Sequence, residues 1–342
     1  LSRQRPDRII AFGVVAIVIA VLPLFLPSYL SFELTYVAAY AIAILGLTIL
    51  TGYNGQISLG HGAFLAVGGY TLAILATRAG VPYWCTIPIA ALICFVVGIG
   101  IGLAALRLEG AYLALATFSL AVSVPSLLKR FSSFTGGSGG LILTPASPPA
   151  FLHDLDSERW LYYCVWALAG AIFIATSYLL RGRLGRALRA LRDNHVAAVS
   201  FGINPYFYKT LAFGWSAAYA GIAGAIVAVA TAFVSPDVYN LTLSTTLLIG
   251  LVLGGIETMW GALAGGLVVE FLPLWAQKIN SGAPAIVQGV ALIIVMLVMP
   301  SGIAGTVLRF LRARRGHDVD ATPPAVRAEG VPLSVSASVP SD

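Results

Sequence analysis

Ten apolar runs, separated by short polar stretches, divide the chain at residues 9–27, 34–51, 57–77, 84–106, 111–128, 160–180, 207–231, 241–256, 260–277 and 283–300. Each is about 16 to 25 residues long, close to the ~20 that a helix needs to cross a bilayer core of roughly 30 Å. Only helices and closed barrels satisfy their backbone in lipid. The runs lack the strict alternation of a barrel strand, so helices are predicted. The expected fold is all-α: a polytopic membrane bundle over residues 1–315, followed by a tail at 316–342. That tail is rich in Ala, Pro, Ser and Val and has no periodicity, so it is expected to be disordered.

Composition agrees with the pattern. The chain is 58% hydrophobic and 10% charged, against roughly 25% charged residues in globular domains. So few charges cannot cover a soluble surface. The net charge of +6 does not imply nucleic acid, because the basic residues sit between apolar runs rather than on one face. Their placement is a topology signal instead. With the N-terminus inside and every run crossing, the inside receives Arg3, Arg5, Arg8, Arg107, Arg181, Arg183, Arg186, Arg189, Arg192, Lys209, Arg309, Arg312, Arg314 and Arg315. The outside receives only Arg78, Lys129, Arg130, Arg159 and Lys278. The positive-inside rule therefore puts both termini and the 181–206 loop in the cytoplasm, and the 129–159 loop outside.

No cleavable signal peptide is expected. The run at 9–27 is long enough to span, and it ends in L-P-S-Y-L rather than a small-x-small site. Cys85, Cys94 and Cys164 show no C-x-x-C spacing, so neither a zinc site nor a disulfide framework is indicated. The 36 glycines include G-x-x-x-G pairs at Gly250/Gly254 and Gly261/Gly265, with others at Gly98, Gly100, Gly102, Gly221 and Gly224. Small residues at such spacing let helix backbones approach closely.

Three features carry candidate chemistry. Residues 51–70 read T-G-Y-N-G-Q-I-S-L-G-H-G-A-F-L-A-V-G-G-Y, which sets Tyr53, Asn54, Gln56, Ser58 and His61 among glycines. A polar, Gly-rich break of this kind fits a discontinuous helix lining a transport path. It also fits a cytoplasmic turn capped by Asn54 and Ser58. His61 is either a relay or ligand contact, or a hydrogen bond to a neighbouring helix. The second feature is R-G-R-L-G-R-A-L-R-A-L-R-D-N-H-V-A-A-V-S-F-G-I-N-P. As a helix over 184–201 it puts Leu184, Leu188 and Leu191 on one stripe and Arg186, Arg189 and Arg192 beside them, with Gly202 and Pro205 as stop signals. Such a helix can lie on anionic lipid or dock on a partner protein. The third is Glu270, near the middle of an apolar run, where an acid suggests function, a partner subunit, or a position nearer the interface. Glu257 falls in a turn.

Over residues 35–305 the chain resembles the permease subunits of branched-chain amino-acid ABC importers, the LivM/LivH type and LivM most of all. The blocks are G-Y-N-G-Q-I-S-L-G-H-G-A-F; Y-L-A-L-A-T-F-S-L with T-G-G-S-G-G-L; G-R-A-L-R-A-L-R-D-N with A-A-V-S-F-G-I-N; Y-K-T-L-A-F with A-G-I-A-G-A; and L-G-G-I-E-T-M-W-G-A-L-A-G-G. The resemblance implies a bacterial inner-membrane importer. A periplasmic binding protein delivers substrate, two permease subunits form the path, and two separate ATPases drive it. The candidates for the path are Asn54, Gln56, Ser58, Gly60 and His61 of the break, Thr117, and Glu270, which stands as a departure beside the resemblance. The resemblance makes the Arg-rich loop the coupling element, with Ala197, Ala198 and Gly202 matching A-A-x-x-x-G and Val196 standing where that signature has Glu. No G-x-x-x-x-G-K-[ST] occurs, so ATP belongs on partner subunits and no cofactor, metal or catalytic residue is expected here.

Other readings are weaker. Gly136, Ser138 and Gly139 spell G-x-S-G, but no later spanning run supplies a His base for a serine protease. An ATP-independent channel or secondary transporter leaves the coupling-like loop unexplained. Within the importer reading, urea or short amides are the alternative substrates to apolar amino acids.

Overall fold

The structure is a computed structural model that describes residues 19–106, 108, 110–148, 156–278, 280, 282–299 and 301–314. The tail at 316–342 and most of the first predicted run lie outside the described residues. Of that run, residues 19–25 are helical.

The helices are α1 (Ser28–Leu47), α2 (His61–Ala79), α3 (Tyr83–Ala105), α4 (Ala111–Arg130), the short α5 (Ser132–Thr135), α6 (Ser157–Arg181), α7 (Arg183–Asp193), α8 (His195–Ser200), α9 (Pro205–Thr231), α10 (Leu241–Gly254), α11 (Met259–Gln277), α12 (Ala283–Val298) and α13 (Gly302–Arg314). Among the described residues, eight helices are long and apolar enough to cross a membrane; the last, Ala283–Val307, takes in α12 and the start of α13. The protein is thus an all-α polytopic membrane protein. The run predicted at 241–256 forms α10, whose 14 residues reach only about 21 Å at 1.5 Å per residue. That falls short of a full bilayer core.

The bundle is organised around α1 and α9, which are buried along nearly their whole length. α9 packs on α1, α2 and α3, and α11 packs on α1 and α10. α3, α4 and α12 lie at the periphery, with large apolar side chains such as Leu92, Leu115 and Ile293 exposed. In lipid that is the expected arrangement, because the solvent there is as apolar as the side chains.

Small residues make the central packing possible. A Cβ on Gly68 would stand 2.1 Å from the Gly221 carbonyl oxygen, and one on Gly224 would stand 2.0 Å from that of Leu65. The same holds between α10 and α11, where a Cβ on Gly254 would meet the Gly261 oxygen at 2.0 Å. Gly100 has no such role, since a Cβ there meets nothing within 4 Å.

The two ends of the bundle differ. At one end Lys129 pairs with Asp237 at 2.5 Å, Arg78 donates to the Ser133 carbonyl, and Arg159 lies 3.8 Å from Asp156. The same end carries a two-residue antiparallel ribbon, β1 (Leu141–Ile142) with β2 (Phe233–Val234), in the register Leu141↔Val234. The opposite end carries α7 and α8.

Candidate functional site

The polar break is a true interruption. α1 runs on into a π-helical turn, Thr48–Tyr53, and helix resumes only at His61. Asn54 and Ser58 do not cap it. The N-cap position is Gly60, with no side-chain cap; Asn54 Nδ2 donates to Gln56 Oε1 at 2.5 Å, and Ser58 Oγ accepts from Gly60 N at 3.3 Å. The segment starts beside α7, where a Cβ on Gly55 would meet Arg192 Cγ at 3.0 Å. It ends deep in the bundle.

His61 fixes that depth. Its Nε2 lies 2.9 Å from Ser216 Oγ, and Ser216 donates to the Gly46 carbonyl at 2.7 Å. The serine has one proton and gives it to Gly46, so His61 Nε2 is the donor in the first bond. Ser216 stands about 16 Å along α9 from Pro205 at 1.5 Å per residue, so α2 begins inside the bundle rather than at its surface. This bond ties α1, α2 and α9 together, which is the neighbouring-helix reading of His61. Its Nδ1 is buried without a partner.

Thr117 joins the same cluster. Its Oγ1 accepts from Leu59 N at 3.0 Å, and a Cβ on Gly60 would lie 3.1 Å from its carbonyl oxygen. The first turn of α2 also meets the first turn of α10, where Gly62 N donates to Ser244 Oγ at 2.9 Å. Tyr239, in the loop before α10, brings its hydroxyl to Gly69. Burial pushes that hydroxyl's pKa up, so it stays a neutral phenol. Two interrupted segments, 54–60 and 235–240, thus meet at facing helix N-termini. Six of the seven candidate path residues gather here: Asn54, Gln56, Ser58, Gly60, His61 and Thr117.

Glu270 does not. It lines a cavity of about 590 Å³ between α1, α10, α11 and α12, together with Tyr40, Asn240, Thr246 and Gln288. Ser244 faces the break, whereas Thr242 and Thr246 line this cavity, so the start of α10 separates the two. Glu33 of α1 is buried beside Glu270.

The basic loop departs from expectation in two ways. The single helix expected over 184–201 is two, because Asn194 is extended (φ −154, ψ 99) and its side chain caps α8 by accepting from Ala197 N at 3.0 Å. More important, Leu184, Leu188 and Leu191 are buried in the chain's own core, so the apolar stripe holds α7 to the bundle and offers nothing to a partner. Ala198 is buried and Ala197 partly so. Gly202 ends α8 with φ +80, a left-handed conformation suited to glycine. The surface left open is Val196, Val199, Phe201, Tyr206 and Phe207, with Phe201 87% exposed.

The arginines also divide. Arg186 donates to the Arg181 carbonyl at 3.0 Å, and Arg189 sits over the Tyr53 ring, 5.6 Å from its centroid. Arg192 Nη1 reaches both the Gly52 carbonyl at 2.5 Å and Glu257 Oε1 at 3.0 Å. It therefore bridges α7, the π-turn ahead of the break, and the α10–α11 turn.

Sequence reasoning missed Glu33, Ser216, Tyr239, Asn240 and Ser244. Ser216 and Ser244 are single polar residues in apolar runs, a signal that only a spatial partner makes legible. Glu33 stood just outside the predicted start at residue 34.

The family model for the branched-chain amino acid transport system permease component matches residues 29–299. The permease protein LivM of Escherichia coli K12 is 30% identical over 305 residues, covering 82% of this chain and 71% of LivM. LivH of Salmonella typhimurium is 26% identical, covering 78% and 92% of the two chains. BraD of Pseudomonas aeruginosa is 25% identical, covering 80% and 93%. All three are described as high-affinity branched-chain amino acid transport system permease proteins. No solved structure matches the chain. The chain belongs to the family of branched-chain amino acid transport system permease components.

Proposed function

We propose that the chain is the permease subunit of an ATP-driven ABC importer and forms the path for branched-chain or related apolar amino acids across the bacterial inner membrane. The observation that carries this is the family match across residues 29–299. The interrupted helices support it, because polar, irregular backbone at membrane depth is tolerated where it faces protein or a water-lined path. The chain works with a second permease subunit, two ATPase subunits that bind the ATP, and a periplasmic binding protein. It is not itself an enzyme and holds no cofactor.

Both termini and the 181–206 loop face the cytoplasm in this reading, in keeping with the positive-inside bias. The ATPase meets the open face of α8 and the start of α9, led by Val196, Phe201 and Phe207. Exposed aromatic residues in such a patch are the usual interface anchors. Arg192 then links that face to the break. The test is uptake by cells lacking this chain. Loss of leucine, isoleucine and valine uptake, restored by the gene, supports the reading. Loss of urea or amide uptake instead moves the substrate to that class.

A further inference from the structure

The junction of α6 and α7 carries positive charge that nothing nearby offsets. α6 exposes one stripe along its length, Ala167, Ala171, Ile174, Tyr178 and finally Arg181, at the three- and four-residue spacing of a single helix face. On a spanning helix such a stripe faces lipid, so Tyr178 and Arg181 stand where acyl chains give way to headgroups. α7 folds back directly on the last turn of α6, since a Cβ on Gly185 would stand 2.0 Å from the Leu180 carbonyl oxygen. Arg183 and Arg186 are thereby kept close to Arg181, and Arg186 Nη1 donates to the Arg181 carbonyl at 3.0 Å.

All three arginines are exposed, and among the described residues none pairs with a carboxylate. Asp193 and Glu257 are both taken by Arg192. The apolar stripe of α7 is buried in the bundle, so the junction presents its arginines outward and does not insert as an amphipathic anchor. A guanidinium is a two-pronged donor that matches phosphate oxygens.

We propose that the α6–α7 junction binds the phosphate of an anionic lipid headgroup through Arg181, Arg183 and Arg186, with Tyr178 against the top of the acyl chains. Basic residues beside a spanning helix attract anionic lipid. A zwitterionic lipid fits less well, because its own ammonium offsets the phosphate. Lipid is favoured over an acidic protein surface because Arg181 continues the lipid-facing stripe, whereas the exposed aromatic residues lie on α8 and the start of α9. A phosphate held here joins the end of α6 to α7, whose last turn carries Arg192.

Free phosphate shares this chemistry, and the experiment separates the two sources. The assembled transporter, with a benzophenone amino acid in place of Tyr178, is illuminated in nanodiscs of equal phosphatidylglycerol and phosphatidylcholine, and the captured lipid is identified by mass. Phosphatidylglycerol should be captured about fivefold more often. Arg181→Gln, Arg183→Gln and Arg186→Gln together should bring the two lipids level. Arg181→Lys, Arg183→Lys and Arg186→Lys together, which keep the charge and lose the fork, should retain part of the preference. Level capture with the arginines intact overturns the site, as does a preference that survives the three Gln substitutions. Millimolar inorganic phosphate that erases the preference at constant ionic strength overturns a lipid site in favour of free phosphate. Capture of an ATPase subunit instead of lipid overturns it in favour of a protein interface.

Discussion

Arg192 Nη1 donates to the Gly52 carbonyl at 2.5 Å, joining α7 to the last turn before the polar break. The same nitrogen holds Glu257 at 3.0 Å. Gly52 leaves no room between these elements, since a Cβ on it would stand 2.1 Å from the Ile256 oxygen. A displacement of α7 therefore reaches both the turn ahead of the 54–60 break and the α10–α11 turn through one side chain.

Arg192→Ala should cut ATP-driven uptake more than it cuts stability. Arg192 is partly exposed, so its bonds are screened and the loss is about 1 kcal/mol, a few degrees of Tm. Arg192→Lys keeps the charge but not the two-pronged geometry, and its uptake should fall between the two. Equal uptake by all three proteins, measured at matched ATP hydrolysis, would show that the bridge transmits nothing.

Leu188 and Phe201 should respond oppositely to Asp. Leu188 is fully buried, and an unpaired carboxylate there costs several kcal/mol. Leu188→Asp should lose folded protein. Phe201→Asp should purify normally but lose co-purifying ATPase. If Leu188→Asp stays folded and sheds the ATPase while Phe201→Asp keeps it, the docking face has been assigned to the wrong side of the loop.

Gly68→Ala and Gly100→Ala make a second contrast. The first forces α2 and α9 apart against backbone, which cannot yield as a side chain can, and overpacking costs about 1–3 kcal/mol or more. The second enters open space. Thermal melting of the purified variants should show a large fall for Gly68→Ala and little change for Gly100→Ala. Similar melting of the two would remove the close α2–α9 contact.

Orientation is tested by cysteine labelling of intact cells in a background lacking native cysteines. Both Ser147 and Asn194 are exposed. A membrane-impermeant maleimide should label Ser147→Cys and spare Asn194→Cys. The reverse pattern would invert the bundle.

Much of this architecture was legible as periodicity. Eight of the ten apolar runs became helices long enough to span, and the polar break at 54–60 became an interruption because Gly60 and its neighbours sit against Thr117 and Leu120. The amphipathic stripe of α7 was legible as a buried face, but not against what: Leu188 looks the same in sequence whether it meets a partner or its own bundle. The split at Asn194 follows from one extended residue that also caps the next helix, a local choice that the overall apolar pattern hides. Glu33 and Glu270 are 237 positions apart (270 − 33) and meet only through the packing of α11 on α1.

The central claim is tested most directly by reconstitution. The chain is placed in liposomes with its second permease and ATPase subunits, and labelled leucine is offered with the binding protein. The account predicts uptake that requires ATP on the ATPase side and requires the binding protein. Leucine uptake that proceeds at the same rate without ATP would contradict it and make the chain a channel or secondary transporter.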